Sequence, residues 1–289
     1  MSTALVTGAA GLLGRAVVDL LANSGAEVHA LVRSRGQAFR DDVVFHEVDL
    51  TRPLQAEGLP SRIDSVFHLA QAREFRDFPG SATKVFAINV ATTAFLLDLA
   101  VNAGASAFVY ASSGGVYRPG PDALTEDGPL LSPAQLGFYL ATKLSSEALV
   151  GSYASQFAAT SLRYFFIYGP GQERSMLIPR LYDRIAKGEP LSFQGQDGMR
   201  INPVHVSDAA AATVAASRLE ASATVNVAGP QVVSLREIGE LFSGDLGQEL
   251  RFEQAAGEPA DLVASTNRMS ELLVRPEVTL AQALPGIGS

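Results

Sequence analysis

The sequence contains no cysteine, and this absence excludes disulfide bonds, thiolate metal ligands and a cysteine nucleophile. Positive charge is also scarce, because 22 Lys and Arg residues face 30 Asp and Glu residues and give a formal net charge of −8. An acidic chain without a basic run is a poor candidate for binding nucleic acid or an anionic membrane. We therefore expect neither partner, although a local positive pocket for a phosphate is compatible with this balance.

Targeting segments and long hydrophobic runs are missing as well. The chain does not begin with a basic segment followed by an apolar one, so no signal peptide is predicted. No apolar run reaches the roughly 18 residues that a membrane span needs. The histidines show no HxH or HxxxH spacing and lie in strand-like stretches, at positions His29, His46, His68 and His205. We expect a cytoplasmic protein without a metal site.

The 289 residues alternate between strand-like and helix-like patterns. Nearly continuous apolar runs, typical of strands buried on both faces, predict strands at Ala4–Thr7, Val28–Val32, Val43–Val48, Ser65–Leu69, Ala107–Ala111 and Ser161–Phe165. Between several of them, apolar residues recur at helical spacing and a glycine ends the pattern. This alternation predicts an α/β fold with a doubly wound parallel sheet covered by helices.

The pattern loosens after about residue 168. "MLIPRLYDRIAKGEP" and "VSDAAAATVAAS" predict helices and "TVNVA" a strand, while Ser234 and Glu237 form a capping box that begins "LREIGELF". We assign residues 1–169 and about 204–228 to a dinucleotide-binding domain. Residues of about 170–203 and 229–289 are assigned to a smaller C-terminal lobe that binds the substrate.

The stretch "TGAAGLLGR" places Gly8, Gly11 and Gly14 directly after the first strand and at the start of the first helix. In this position glycine permits a tight turn and a close approach of the backbone to a pyrophosphate. The helix N-terminus adds free N–H groups and a partial positive charge. We interpret the turn as a phosphate-binding turn; the alternative is a plain strand-to-helix connection.

The second strand ends without the acidic residue that often holds the ribose of NAD about 20 residues after the turn. Arg33 stands there instead, with Arg35 close behind. Guanidinium groups suit a 2′-phosphate, so NADP is mildly favoured over NAD; the alternative is a pair of solvated surface arginines. Asp49, after the third strand, is either an adenine contact or a turn cap.

"FYLATKL" places Tyr139 and Lys143 four residues apart, on one face of a helix. Seven tyrosines and three lysines would give only about 0.07 such pairs by chance. A nearby ammonium favours the phenolate, so Tyr139 is a candidate acid or base for a carbinol or ketone. Ser113 follows the fifth strand, where ligands bind in open parallel sheets, and is the candidate for contacting the substrate oxygen.

Taken together, these residues resemble the extended short-chain dehydrogenase/reductases, in the branch of the NAD-dependent epimerases and dehydratases. The resemblance covers nearly the whole chain, through "TGAAGLLG", "VDL", "VFHLAQA", "INVATT", "YASSGGVY", "YLATK", "RYFFIYGPGQ" and "NPVHVSDAA". It implies a Rossmann fold and the catalytic residues Ser113, Tyr139 and Lys143. The candidate cofactor contacts are Gly8, Ala10, Gly11, Leu12, Leu13, Arg33, Asp49, Leu50, Leu69, Ala70, Gln71, Asn89, Tyr139, Lys143 and Phe166. The candidate substrate contacts are Ser113, Gly114, Arg174, Met176 and Arg200.

Two departures from the family pattern bear on the substrate and the reaction. Gly114 and Gly115 follow Ser113 where the family's dehydratases place an acidic pair, which disfavours a dehydratase. Phe166 stands where many nucleotide-sugar enzymes carry asparagine.

We therefore expect an NAD(P)-dependent epimerase or ketoreductase acting on a nucleotide-activated sugar. The alternatives are an NADPH-dependent reductase of another small carbonyl compound or sugar acid, and a non-catalytic cofactor sensor. As in the family, helices around Phe95–Leu99 and Tyr139–Val150 suggest a homodimer.

Overall fold

The computed structural model describes residues 2–34 and 39–288, which divide into two compact units. The first unit comprises Met1–Val116, Leu130–Arg163 and Ala210–Val225, and the second comprises Tyr117–Pro129, Tyr164–Ala209 and Asn226–Ser289. The second unit therefore includes residues 117–129, 164–169, 204–209 and 226–228, which the sequence pattern predicts in the dinucleotide-binding domain.

The strands in chain order are β1 (Thr3–Thr7), β2 (Glu27–Val32), β3 (Val44–Glu47), β4 (Ser65–His68), β5 (Ala107–Ser113), β6 (Ala158–Tyr164), β7 (Leu191–Gln194), β8 (Arg200–Ile201), β9 (Ala223–Val227), β10 (Val233–Ser234) and β11 (Phe252–Ala255). Seven of them form one sheet in the order β3-β2-β1-β4-β5-β6-β9, and its pairs β1–β2, β1–β4, β2–β3 and β4–β5 are parallel. The predicted strands of this sheet are confirmed, with ends that differ by a few residues.

The helices connect these strands in the alternation that the sequence predicts. They are α1 (Leu12–Asn23), α2 (Ala82–Phe86), α3 (Thr92–Asn102), α4 (Pro133–Ser152), α5 (Leu177–Ala186), α6 (Val206–Ala216), α7 (Leu235–Leu246), α8 (Asn267–Leu272) and α9 (Leu280–Ile287). The capping box of Ser234 and Glu237 is present at the start of α7, where the Glu237 N–H donates to the Ser234 hydroxyl over 3.1 Å.

A π-helical segment, Ala87–Ala91, joins α2 to α3, so residues 82–102 form one continuous helical stretch. This stretch is long and apolar enough to cross a membrane by length and composition alone, which the inspection of apolar runs did not anticipate. Half of it is buried inside the protein. Leu96, Leu97 and Ala100 pack against the sheet residues Leu5 and Phe108, so the stretch has the burial of a core helix.

Two features shape helix α4, which carries the candidate catalytic pair. It begins with a capping box of Ser132 and Gln135 and a proline at its first position. Gly137 then adopts φ 65° and ψ 171°, which are not helical values. Tyr139 and Lys143 consequently lie on the regular helix that follows this kink.

The second unit has its own hydrophobic core. Helices α5, α7 and α9 surround Ile178, Leu181, Phe242 and Leu280, which are almost fully buried. The short strand pairs β8–β10, antiparallel, and β7–β11, parallel, also belong to this unit.

The glycine turn generates a stability prediction, because a Cβ added at Gly14 would lie 2.1 Å from the Gly8 carbonyl oxygen and 2.8 Å from the Ala9 Cα. Both neighbours are backbone atoms, which move only if the turn distorts. Gly14→Ala should therefore lower the free energy of unfolding by about 2 kcal/mol or more, measured by urea denaturation.

Gly151→Ala is the matched control, since Gly151 also lies in a helix but has open space where its Cβ would stand. This variant should be neutral or more stable by up to about 1 kcal/mol. Equal unfolding free energies for Gly14→Ala and the wild type would show that the turn accepts a side chain.

Candidate active site

The glycine turn brings the carboxyl end of β1 close to the carboxyl end of β4. Gly8 has φ +69°, and a Cβ at this position would lie 2.7 Å from the Ala70 nitrogen. The Gly11 N–H donates to the Gly8 carbonyl over 2.9 Å and closes the turn. Because these contacts involve backbone, a larger residue at Gly8 would push the two strand ends apart.

The turn leaves the N-terminus of α1 open to an anion. Gly11 is the N-cap and, among the described residues, no side chain caps this helix and no acidic residue lies in its first turn. First-turn N–H groups have no acceptor within a helix, and those of Leu12 and Leu13 belong to half-buried residues. A pyrophosphate fits this arrangement of N–H groups and positive helix dipole, so the residues present are compatible with a dinucleotide.

Thr7 and His68 reinforce the junction between β1 and β4, and the sequence analysis did not identify either as important to the site. The Thr7 hydroxyl lies 2.7 Å from His68 Nδ1 and accepts a hydrogen bond from the Ala70 N–H over 3.3 Å. Burial lowers the pKa of His68 to about 3, helped by the charge of Lys143, so the imidazole is neutral. These bonds fix the backbone of Leu69 and Ala70 beside the turn.

The residues predicted to contact the adenosine half lie at the ends of β2 and β3. Arg33 directly follows β2 and is exposed, and its charge contributes to lowering the pKa of Glu74. Arg35 lies outside the described residues. The Asp49 carboxylate accepts hydrogen bonds from the Thr51 N–H (3.0 Å) and hydroxyl (2.7 Å) and is thus occupied as a turn cap. Leu50 is half-buried against the core.

Lys143 is almost completely buried beneath Tyr139. Its side chain reaches the carboxyl end of β5, where Nζ donates to the Ala111 carbonyl over 2.7 Å. Nζ also lies 5.2 Å from the ring centre of Tyr110 and 5.9 Å from that of Tyr139. Burial lowers the pKa of Lys143 to about 7, and Glu147 opposes this change.

Tyr139 is half-buried, and its hydroxyl donates to the Gln71 side-chain oxygen over 2.8 Å. Burial raises the pKa of the phenol, whereas hydrogen bonding with the Ser113 hydroxyl lowers it. The Phe75 ring packs against Tyr139 with 4.8 Å between the ring centres. The structure therefore brings Gln71, Ser113 and Lys143 together around the phenol of Tyr139.

Ser113 is the last residue of β5, and a 3-10 helix begins at Gly114. Its hydroxyl accepts a hydrogen bond from the Gly115 N–H over 3.2 Å. Gly114 is buried in this turn.

Asn89 lies in the π-helical segment and connects three parts of the site. Its side-chain oxygen accepts from the Ala72 N–H (3.3 Å), and its amide nitrogen donates to Thr142 on α4 (3.0 Å). Its carbonyl accepts from the hydroxyls of Thr93 and Ser146. Asn89 therefore fixes the position of α4 beside the loop that follows β4.

A second buried group, which the sequence analysis did not anticipate, lies below Lys143. Both oxygens of the Glu147 carboxylate accept hydrogen bonds from Arg163, one from Nε over 3.0 Å and the other from Nη2 over 2.7 Å. The Ser112 hydroxyl donates to the same carboxylate. The signal in the sequence that could have identified Glu147 is its four-residue spacing from Lys143, which places both residues on one helix face.

The remaining predicted contacts lie in the second unit, where both arginines bind carboxylates. Arg174 pairs with Asp183 and donates to the Ile287 carbonyl over 2.6 Å, and Met176 is the N-cap of α5. Arg200 pairs with Asp261 through its side chain, from Nε over 2.8 Å, and through its backbone N–H over 2.7 Å.

Phe166 lies two residues after β6 and is also in the second unit. Its φ of 47° is the only positive value at a non-glycine residue in the described chain. Such a backbone conformation costs free energy and is often found at functional sites.

Several known proteins are similar to this chain in sequence. A sequence model described as the NAD dependent epimerase/dehydratase family matches residues 4–228. The chain is 28% identical over 296 residues to a dTDP-4-dehydro-6-deoxy-D-allose reductase of Streptomyces bikiniensis, covering 96% of this chain and 90% of the reductase. It is 34% identical over 230 residues to a 3-diazoavenalumate denitrifying reductase of a Streptomyces species, covering 77% and 74% of the two chains.

The fold is similar to that of MoeE5, solved in complex with UDP-glucuronic acid and NAD. The TM-score is 0.83 at 28% sequence identity, covering 99% of this chain and 97% of MoeE5. The sequence match over most of the chain, the sheet order and the similar solved structure lead to one conclusion: this chain belongs to the NAD-dependent epimerase/dehydratase family of extended short-chain dehydrogenase/reductase enzymes.

Proposed function

We propose that this enzyme interconverts a secondary alcohol and a ketone on a nucleotide-activated sugar, as an epimerase or a ketoreductase, with Tyr139 as acid and base. The observation that carries the proposal is the grouping of Ser113, Tyr139 and Lys143 at the carboxyl edge of the sheet that also holds the glycine turn. Ligands of open parallel sheets bind at this edge. A bound nicotinamide cofactor supplies or accepts the hydride.

The chain's own residues account for the movement of the proton. Tyr139 takes the hydroxyl proton when the alcohol is oxidised and returns it when the ketone is reduced. Because burial raises the pKa of the phenol, the phenolate needs a nearby positive charge, and the Lys143 ammonium supplies it. The Ser113 hydroxyl donates to the same substrate oxygen and orients it.

The glycine turn and the loop after β4 are assigned to the dinucleotide. The N–H groups at Leu12 and Leu13 hold the pyrophosphate, and the backbone of Leu69 and Ala70 lies against the turn at the distance that Gly8 permits. Gly8, Ala10, Gly11, Leu50, Gln71, Asn89 and Phe166 complete the assigned set. We keep Asp49 as an adenine contact, for which the carboxylate would have to leave its turn hydrogen bonds.

Substrate recognition is assigned to Arg174, Met176, Arg200 and Gly114. The nucleotide-sugar assignment is supported by the dTDP-sugar reductase relative and by the UDP-glucuronic acid that MoeE5 binds. A phosphate that binds Arg200 would compete with Asp261 for the guanidinium. The second candidate function is reduction of a small carbonyl compound that carries no nucleotide. The similarity to a 3-diazoavenalumate denitrifying reductase, whose name includes no nucleotide, supports a substrate of this kind without specifying the group that is reduced.

Replacing Tyr139 by phenylalanine tests the assigned acid and base. Tyr139→Phe removes one hydroxyl, so kcat should fall by about 10³-fold, whereas NADH binding should change by less than about twofold. Turnover is measured with UDP-glucose, UDP-glucuronic acid and dTDP-4-keto-6-deoxy sugars. Tyr153→Phe, at the far end of α4, is the matched control and should keep full activity; full activity of Tyr139→Phe would refute the assignment.

The choice of cofactor tests the role of Arg33. We propose that this exposed guanidinium binds a 2′-phosphate, so NADPH should bind at least about tenfold more tightly than NADH, or about 1.4 kcal/mol. Arg33→Ala should remove this difference by weakening NADPH alone. Fluorescence titration of nucleotide-free protein measures both dissociation constants. Equal affinities, or tighter binding of NADH, would make Arg33 a surface residue and favour an NAD-linked epimerase.

A homodimer in the cytoplasm is the state that we propose for the enzyme. Leu96 and Leu97 of α3 are buried within the chain, whereas Phe86 and Val101 remain 51% and 38% exposed. Contact across a twofold axis through this helical stretch and α4 would cover these exposed side chains. Sedimentation equilibrium should give about twice the 30.4 kDa chain mass; a single species of one chain mass would contradict the dimer.

A further inference from the structure

The Lys143 ammonium is in an environment that opposes its charge. Lys143 is 1% exposed, and its Nζ donates a hydrogen bond to the Ala111 carbonyl, which carries no charge. The rings of Tyr110 and Tyr139 present their faces at 5.2 and 5.9 Å. A buried cation is costly unless an opposite charge accompanies it, and the chemistry proposed for Tyr139 requires this cation.

Glu147 supplies a carboxylate one helical turn from Lys143. Its side chain is 10% exposed and that of its partner Arg163 is 7% exposed. Arg163 on β6 binds both oxygens and Ser112 on β5 donates to one of them. The carboxylate is thereby held against the sheet, on the same face of α4 as Lys143.

The other titratable groups facing Lys143 do not supply a negative charge at neutral pH. Burial keeps His68 neutral, with a pKa of about 3, and burial raises the pKa of both Tyr110 and Tyr139 above the usual value for a phenol. Burial also lowers the pKa of Lys143 to about 7, and Glu147 is the group that raises it. Arg163 fixes the carboxylate in place and offsets part of its charge.

We propose that Glu147 is a positioning residue of the reaction: its carboxylate, anchored by Arg163 and Ser112 one helical turn from Lys143, keeps the Lys143 side chain charged beneath Tyr139. The inference rests on the role proposed for Lys143. The alternative is that the pair of Glu147 and Arg163 only joins α4 to the sheet. The two roles predict different titrations of Lys143 once the charge of the carboxylate is removed.

The test is a titration of Lys143 in the free protein by NMR, with ¹³C at lysine Cε. The chain has three lysines, Lys84, Lys143 and Lys187, so Lys84→Arg and Lys187→Arg assign the spectrum. Glu147→Gln preserves the shape of the side chain and removes the charge, and its single amide oxygen can still accept hydrogen bonds at one of the two carboxylate oxygen positions. The ammonium of Lys143 should therefore lose its proton at a pH lower by at least about one unit, a tenfold change in its ionisation constant.

Glu147→Asp withdraws the carboxylate by one methylene and should give a smaller shift in the same direction, which provides a second measurement if Glu147→Gln does not fold. Glu74→Gln is the matched control, because Glu74 pairs with the partly exposed Lys84 at 2.5 Å and should leave the Lys143 titration unchanged.

An unchanged Lys143 titration in whichever Glu147 variant folds would overturn the proposal and leave the pair of Glu147 and Arg163 only as a connection between α4 and the sheet. No substrate enters this titration, so its outcome is independent of the Tyr139→Phe experiment that tests the function itself.

Discussion

A buried positive charge is the constraint on which the first unit depends. Lys143 places an ammonium at the end of β5, out of contact with water. A buried charge is costly unless polar or charged groups compensate it. Here the Ala111 carbonyl and the faces of two tyrosine rings lie near Nζ, and the Glu147 carboxylate lies one helical turn along α4. These partners come from β5, from α4 and, through Arg163, from β6. The charge can therefore exist only in a chain in which α4 packs against these two strands.

The same packing brings the Tyr139 hydroxyl to the sheet edge. Tyr139 follows the kink at Gly137 and lies one turn before Lys143, so both side chains leave the same helix face. Gln71 and Asn89 then connect this face to the loop after β4, through the Tyr139 hydroxyl and through Thr142. The site is thus held by side chains from four separate segments, and its geometry depends on the parallel sheet that aligns them.

The glycine turn, which follows β1, lies at the same carboxyl edge of the sheet. Its close backbone approach to Leu69 and Ala70 is possible because Gly8 has no side chain. Thr7 and His68, both buried, lock the approach with neutral hydrogen bonds. A dinucleotide that lay across β1 and β4 would therefore contact backbone in a fixed conformation, which reduces the entropy lost on binding.

The sequence by itself determined the fold class, the seven strands of the sheet, the capping box of Ser234 and Glu237 and the pairing of Tyr139 with Lys143, because each depends on local periodicity or short spacing. It also placed the glycine turn between the first strand and the first helix, a position that is typical of phosphate-binding turns. Only the tertiary structure decided that Arg174 and Arg200 are occupied by Asp183 and Asp261, and that Glu147 meets Arg163 and Ser112. Those partners lie up to 61 residues apart in the chain, and the free energy of a buried charge is set by the groups that folding brings to it rather than by its neighbours in sequence.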